Sequence, residues 1–125
     1  MAGSGVETGT ALKGLDAESR QMVIDTVRQL RERLLTKEII SEFDKKEIFP
    51  EETIRKMLGP EIGLQLLFIP EAYGGEDMDK TSTCLVTEAL GGAPSFSVSY
   101  GAHTGIGTLP IVYFGSDEQK RKYLP

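Results

Sequence analysis

The sequence predicts an all-α fold, an up-and-down domain of five to six helices, and three features carry that expectation. From Asp16 onward Met22, Val23, Val27, Leu30 and Leu34 recur at helical spacing, with Arg20, Asp25, Arg28, Arg31 and Glu32 interleaved. Glycine stops, Gly59-Pro60 and Gly91-Gly92, punctuate the chain beyond that stripe. Near the end, Gly115 precedes Ser116-x-x-Gln119, the capping-box pattern in which each residue's side chain accepts the other's backbone N–H.

Residues 1–14 include Gly3, Gly5 and Gly9 with almost nothing to bury, and read as a disordered leader before a domain over 15–125. Asp16 is the expected N-cap of the opening helix. Ile39, Ile40 and Phe43 either continue that helix or follow a bend near Thr36. The next helix starts at Phe49-Pro50-Glu51-Glu52, with Pro50 in the first turn, where its missing N–H costs nothing, and two acids near the positive end of the dipole. Gly59-Pro60 ends it.

Residues 62–70 are dense in apolar side chains and too short for a long helix, so a buried connection or a short helix ending at Pro70 is expected. Gly74-Gly75 supplies a turn needing positive φ. A helix follows from about Asp79 to Leu90, with Cys84, Leu85, Val86 and Ala89 on its inward face. Another begins near Pro94-Ser95 and runs through Phe96, Val98, Ser99, Ala102, His103 and Ile106 toward Leu109. Its glycines, Gly101, Gly105 and Gly107, each cost roughly 1 kcal/mol of helix propensity, which close approach of a neighbouring helix or a ligand would offset. The last helix, opened by the capping box, carries Asp117 and Glu118 at its start and Lys120, Arg121 and Lys122 toward its end, as the macrodipole favours.

With 125 residues, 39% of them hydrophobic and 26% charged, the chain holds one modest core. A net charge of -5 without any concentration of Lys or Arg argues against nucleic acid as a partner. One cysteine cannot form an internal disulfide, and one cysteine with one histidine cannot build a four-ligand zinc site. A reducing cytoplasm is the simplest setting. No apolar stretch reaches the length of a membrane span, and no secretory signal opens the chain.

The residues carry little chemistry of their own. His103 has no partner readable from the sequence and is expected to be a polar helix residue satisfied by backbone or solvent. Cys84 reads as a small buried hydrophobe, and Glu88 as a paired structural carboxylate rather than a base. Gly74-Gly75 and Gly91-Gly92 lack the spacing of a phosphate cradle and read as turn glycines. The cluster Lys120, Arg121 and Lys122 is explained by its place at a helix C-terminus.

Two phrases nevertheless resemble a known family: Ile69-Pro70-Glu71-Ala72-Tyr73-Gly74-Gly75, and Gly115-Ser116-Asp117-Glu118-Gln119-Lys120-Arg121-Lys122-Tyr123-Leu124-Pro125. With Thr87-Glu88-Ala89-Leu90 between them, they are similar in order and spacing to the N-terminal helical domain of the flavin-dependent acyl-CoA dehydrogenases, from about Leu15 to the last residue. Ala89, where many members carry a second acid, and the Gly59-Pro60 step depart from the family pattern.

The resemblance implies a central β-domain and a second helical domain beyond Pro125, FAD bound between those two, and an acyl chain held among helices that include one from this domain. The helix after Gly92 is the match, and its positions Val98, Ser99, Ala102, His103 and Ile106, read as inward, are implied to line the acyl pocket. The family reaction converts an acyl-CoA thioester to a trans-2-enoyl-CoA, with the α-proton removed by a glutamate that lies outside this chain in most members. No catalytic, cofactor-binding or metal-ligating residue is therefore assigned here, and the chain alone is expected to be inactive. Electron-transfer flavoprotein or a similar acceptor, and a homo-oligomer, dimer or tetramer, are the implied partners. A related flavoprotein oxidase, a small acyl-CoA carrier and a free-standing helical interaction module remain as alternatives. A domain belonging to a larger enzyme should show an exposed apolar patch along residues 73–78 and 96–106, and a self-sufficient module should not.

Overall fold

Asp16 opens helix α1 (Ala17–Leu34) by accepting the Ser19 N–H at 2.8 Å, as its position in the sequence predicts. The computed structural model describes residues 14–48 and 50–125, so the expected leader lies outside the described residues, Gly14 apart. α1 does not continue into the next apolar group. Leu35 ends it, and Thr36 starts α2 (Lys37–Lys46) by accepting the Ile39 N–H. Helix α3 (Glu51–Leu58) begins one residue later than expected: the Pro50 carbonyl accepts the first helical bond, from Ile54 N–H at 2.9 Å, which makes Pro50 the cap rather than part of the first turn.

Residues 62–70 form the expected short connection, a 3-10 turn over Leu64–Phe68 that ends before Pro70. After a second 3-10 turn (Glu71–Tyr73), Gly74 takes φ +85°, which a side chain would resist. Gly75 is needed for a different reason. A Cβ there would run into the Ile69 carbonyl, so only a glycine lets the chain double back this tightly. Asp77 N–H then donates to that same carbonyl at 2.9 Å, and Met78 N–H to Leu67 O at 3.0 Å.

Helix α4 (Lys80–Leu90) is capped by Asp79, and α5 (Pro94–Gly101) passes without a break through a π-helical segment (Ala102–Thr108) into α6 (Leu109–Phe114). Counting 94–114 as one rod, and adding α7 (Asp117–Tyr123), the described residues make six helical rods and no strand. Both halves of the Ser116–Gln119 capping box on α7 are formed, at 3.2 and 2.8 Å.

The core lies where α1, α3, α4 and α5 meet, around Val27, Met57, Val86, Leu90, Phe96 and Tyr100. Each such side chain contributes about 1.5–3 kcal/mol by leaving water. Tyr100 stacks on Phe96 with centroids 6.2 Å apart and meets Phe68 edge-on at 6.1 Å. The face α4 buries differs from the one its apolar residues suggested. Ser82 and Thr83 are buried with Val86, Ala89 and Leu90, whereas Cys84 is exposed and Leu85 half-covered. Two polar residues go inside because their hydroxyls have partners: Ser82 Oγ donates to Asp79 Oδ2 at 2.6 Å, and Thr83 Oγ1 to Lys80 O at 2.9 Å. Glu88, expected as a paired structural acid, is exposed instead.

The pairing that Glu88 was expected to supply comes from Asp79 and Arg20. Asp79 accepts Ser82 N–H at 2.9 Å and Leu15 N–H at 3.0 Å, and lies 3.8 Å from the Arg20 guanidinium. Arg20 donates to Ser82 Oγ at 2.9 Å and to Leu15 O at 3.1 Å. Further along the same helix pair, Arg31 crosses to the end of α4 and donates to Ala89 O at 2.8 Å, closing a carbonyl that the helix terminus leaves open.

Candidate functional site

The helical rod over 94–114 has two unlike sides. Phe96, Tyr100 and Thr104 are buried, and Thr104 Oγ1 donates to Tyr100 O at 2.7 Å, so that its hydroxyl is satisfied inside the core. On the other side Val98 is 72% exposed and Ile106 80%, with Ala102 and His103 exposed and Ser99 half-buried. The structure thus places the five positions singled out in the sequence on surface the domain's core does not use. Their expected inward orientation is corrected: they point away from this domain's own core, because Phe96, Tyr100 and Thr104 fill that side.

Two of the three glycines of this rod have no close neighbour among the described residues, while a Cβ at Gly107 would sit 3.5 Å from Ala102 O. A Cβ at Gly101 or Gly105 would meet nothing within 4 Å. Among the described residues no neighbouring helix packs against these two positions.

The apolar surface is placed differently from expectation at one end. Tyr73 and Met78 are half-buried, so residues 73–78 do not form an open patch. The exposed apolar residues continue the other way instead, through Tyr113 at 53% and Phe114 at 88%.

His103 is satisfied, as the sequence reading expected, but by a side chain. Its Nε2 lies 3.2 Å from Gln65 Oε1, on the 3-10 turn over Leu64–Phe68. An amide oxygen does not poise a histidine for proton transfer as a carboxylate would. Gln65 was missed in the sequence, where its one signal is to be the lone polar residue between Leu64 and Ile69. Three of the four N–H groups in the glycine pairs are taken up by carbonyls of their own turns. Gly74 N–H goes to Glu71 O at 2.9 Å, Gly75 N–H to Pro70 O at 3.2 Å, and Gly91 N–H to Glu88 O at 3.0 Å.

Local hydrogen bonds lower the carboxyls of Asp16, Glu38 and Glu42 on the surface, and two groups further inside shift the most. Bonds from the Ser82 hydroxyl and backbone hold the Asp79 carboxyl down to about 2, and the phenol of Tyr100 is pushed up by burial. Asp79 belongs to the α1–α4 joint and Tyr100 to the core. Among the described residues no cluster of His, Cys, Asp and Glu could hold a metal ion, and no helix is long and apolar enough to cross a membrane.

Residues 17–125 match the family model described as "Acyl-CoA dehydrogenase, N-terminal domain". A probable acyl-CoA dehydrogenase of Bacillus subtilis is 62% identical over 65 residues, which cover 52% of this chain and 11% of that protein. The human mitochondrial short-chain specific acyl-CoA dehydrogenase is 32% identical over 108 residues, covering 86% of this chain and 26% of that one. The crystal structure of an acyl-CoA dehydrogenase complexed with FAD from Bacillus anthracis superposes with a TM-score of 0.72 at 36% identity, over 88% of this chain and 19% of that chain. The chain therefore spans about a quarter or less of the length of these relatives. Since both the sequence from Ala17 to Pro125 and the helical architecture match, the chain belongs to the acyl-CoA dehydrogenase family, as its N-terminal helical domain.

Proposed function

We propose that this domain serves an FAD-dependent acyl-CoA dehydrogenase by forming one wall of the acyl-chain pocket from Val98, Ser99, Ala102, His103 and Ile106. The observation that carries the reading is the exposure of Val98 and Ile106, 72% and 80%, beside Ala102 and Gly105 on a rod whose other side is buried in the core. Small residues between two aliphatic ones give a shallow apolar surface, suited to a hydrocarbon chain and without charge to repel it. Residues 94–114 contain no Asp or Glu, so the base that removes the α-proton belongs elsewhere in the full-length enzyme. The chain alone is inactive on this reading.

The described residues do not fit the flavin itself. The N–H groups of Gly74, Gly75 and Gly91 are held by carbonyls of their own turns, and on this reading FAD is held by other parts of the full-length protein, where it would accept the β-hydride as the thioester becomes a trans-2-enoyl-CoA. Reoxidation by electron-transfer flavoprotein or a similar acceptor, and assembly into a dimer or tetramer, complete the proposal. A free-standing interaction module is disfavoured by the apolar face left open along 98–114.

The test is Ala102→Leu in the full-length enzyme, assayed by anaerobic bleaching of the flavin band and by steady-state kinetics over a series of acyl-CoAs. Added volume on the wall is expected to lower kcat/KM for the longest acyl chains by about tenfold or more while leaving short ones little changed. An unchanged chain-length profile overturns the assignment of the wall.

A further inference from the structure

The wider turn of the π segment shows in a hydroxyl at its C-terminal end, whereas Thr104 near its start still donates four residues back, to Tyr100 O at 2.7 Å. In the α-helices, Thr26, Thr87 and Ser99 each donate to the carbonyl four residues back, Met22 O at 2.8 Å, Thr83 O at 2.9 Å and Ser95 O at 3.1 Å. Thr108 instead reaches five residues back, to His103 O at 2.9 Å, spanning the wider turn. His103 is held at its other end too, by the contact of its ring with Gln65 at 3.2 Å across 38 residues of sequence. One residue before Gln65, Leu64 O lies 3.5 Å from the Tyr100 hydroxyl. The 3-10 turn over Leu64–Phe68 therefore meets the rod at two successive places, one in α5 and one in the π segment.

The wider turn has a geometric effect on the open face. From Val98 to Ala102 the rod is α-helical, and four residues overshoot a full turn of 3.6. From Ala102 to Ile106 it is π-helical, and four residues of a turn closed by bonds five apart fall short of one. The two errors oppose each other, so Val98 and Ile106 line up along the rod. In an uninterrupted α-helix both steps would overshoot and Ile106 would rotate away from Val98.

We propose that Gln65 is a positioning residue for the acyl wall: through His103 it holds the π segment in register, and with it the alignment of Val98, Ala102 and Ile106. This rests on the proposed function, in which the open face meets the acyl chain. Gln65 does not itself contact substrate on this account. Because it stands in a separate turn, it couples the position of the wall to the 62–70 connection.

The experiment compares Gln65→Ala and Gln65→Glu in the full-length enzyme by hydrogen exchange over residues 102–108 and by kinetics with long and short acyl-CoAs. In Gln65→Ala the amides of 102–108 are expected to exchange about fivefold faster, as for loss of one ordinary hydrogen bond. The ratio of kcat/KM for long over short chains should fall by up to about fivefold, through KM rather than kcat. Gln65→Glu keeps an acceptor for His103 and should restore both. If exchange is unchanged in Gln65→Ala, the role of Gln65 is overturned while the acyl wall stands. If exchange quickens and the chain-length ratio stays fixed, the claim that Gln65 positions the wall is overturned, while the wall itself is decided by Ala102→Leu.

Discussion

The joint between α1 and α4 and the open side of the 94–114 rod are both helix surfaces of one small domain, yet they are finished in opposite ways. At the joint, Val27, Val86, Ala89 and Leu90 are buried, and the polar groups beside them are closed by Arg20, Asp79, Ser82 and Arg31. On the rod, Val98, Ile106 and Phe114 are left in the open, and a Cβ on Gly101 or Gly105 would meet none of the described residues within 4 Å. Saturated polar bonds and buried apolar groups mark a surface completed within the domain. Open apolar groups beside unused space mark one completed by something else.

The largest effect that tests this contrast is at the closed joint. Leu90 is fully buried, and Leu90→Ala is expected to cost about 2–5 kcal/mol in denaturant unfolding of the 125-residue chain, by lost transfer energy and the cavity left behind. A cost under about 1 kcal/mol would show that the joint is not the packed half of the pair.

Asp79 sharpens the contrast through pH. Its carboxyl is held down from 3.8 to about 2 in the folded chain. The stability it contributes is therefore present above its unfolded value and is lost as pH falls from 3.8 toward 2. Asp79→Asn should lower stability at neutral pH and flatten this part of the acid-unfolding curve, read by far-ultraviolet circular dichroism. An acid limb as steep as in the unaltered chain would move the source of that dependence away from the joint. The smallest effect belongs to the open face. Ile106→Ala should change the stability of the same chain by less than about 0.5 kcal/mol, and a cost near that of Leu90→Ala would break the comparison.

The joint and the face were also unequally legible in the sequence. The caps at Asp16 and Ser116 and the stops at Gly59 and Gly91 are local signals, and each governs the element it sits in; the apolar stripe of α1 holds at Val27, but Met22 stands exposed and Ile24 is buried in its place. The inner side of α4 was misread at Cys84 because burial was inferred from apolarity. Ser82 and Thr83 go inside once Asp79 and the Lys80 carbonyl take their hydroxyls, and that shifts the buried stripe. Arg20 and Asp79 lie far apart in the chain, so nothing local announces their pairing. The same holds for Gln65 and His103. The positions of the candidate wall were legible as a helical stripe, but its direction was not. Helical spacing says which residues share a side, and only the packing of Phe96, Tyr100 and Thr104 decides which side is spent on the core. A π turn is invisible to any reading that assumes 3.6 residues per turn.

The burial of Tyr100 has an optical consequence. The chain has four tyrosines and no tryptophan, so its near-ultraviolet absorbance is dominated by phenol rings. Tyr113 and Tyr123 stand in solvent, while Tyr100 is sealed between Phe68 and Phe96, where burial holds its phenol neutral in base. In an alkaline titration followed by phenolate absorbance, the Tyr100 signal should appear only together with the loss of helical circular dichroism. The ring at the centre of the core thereby serves as a built-in chromophore for the opening of the domain.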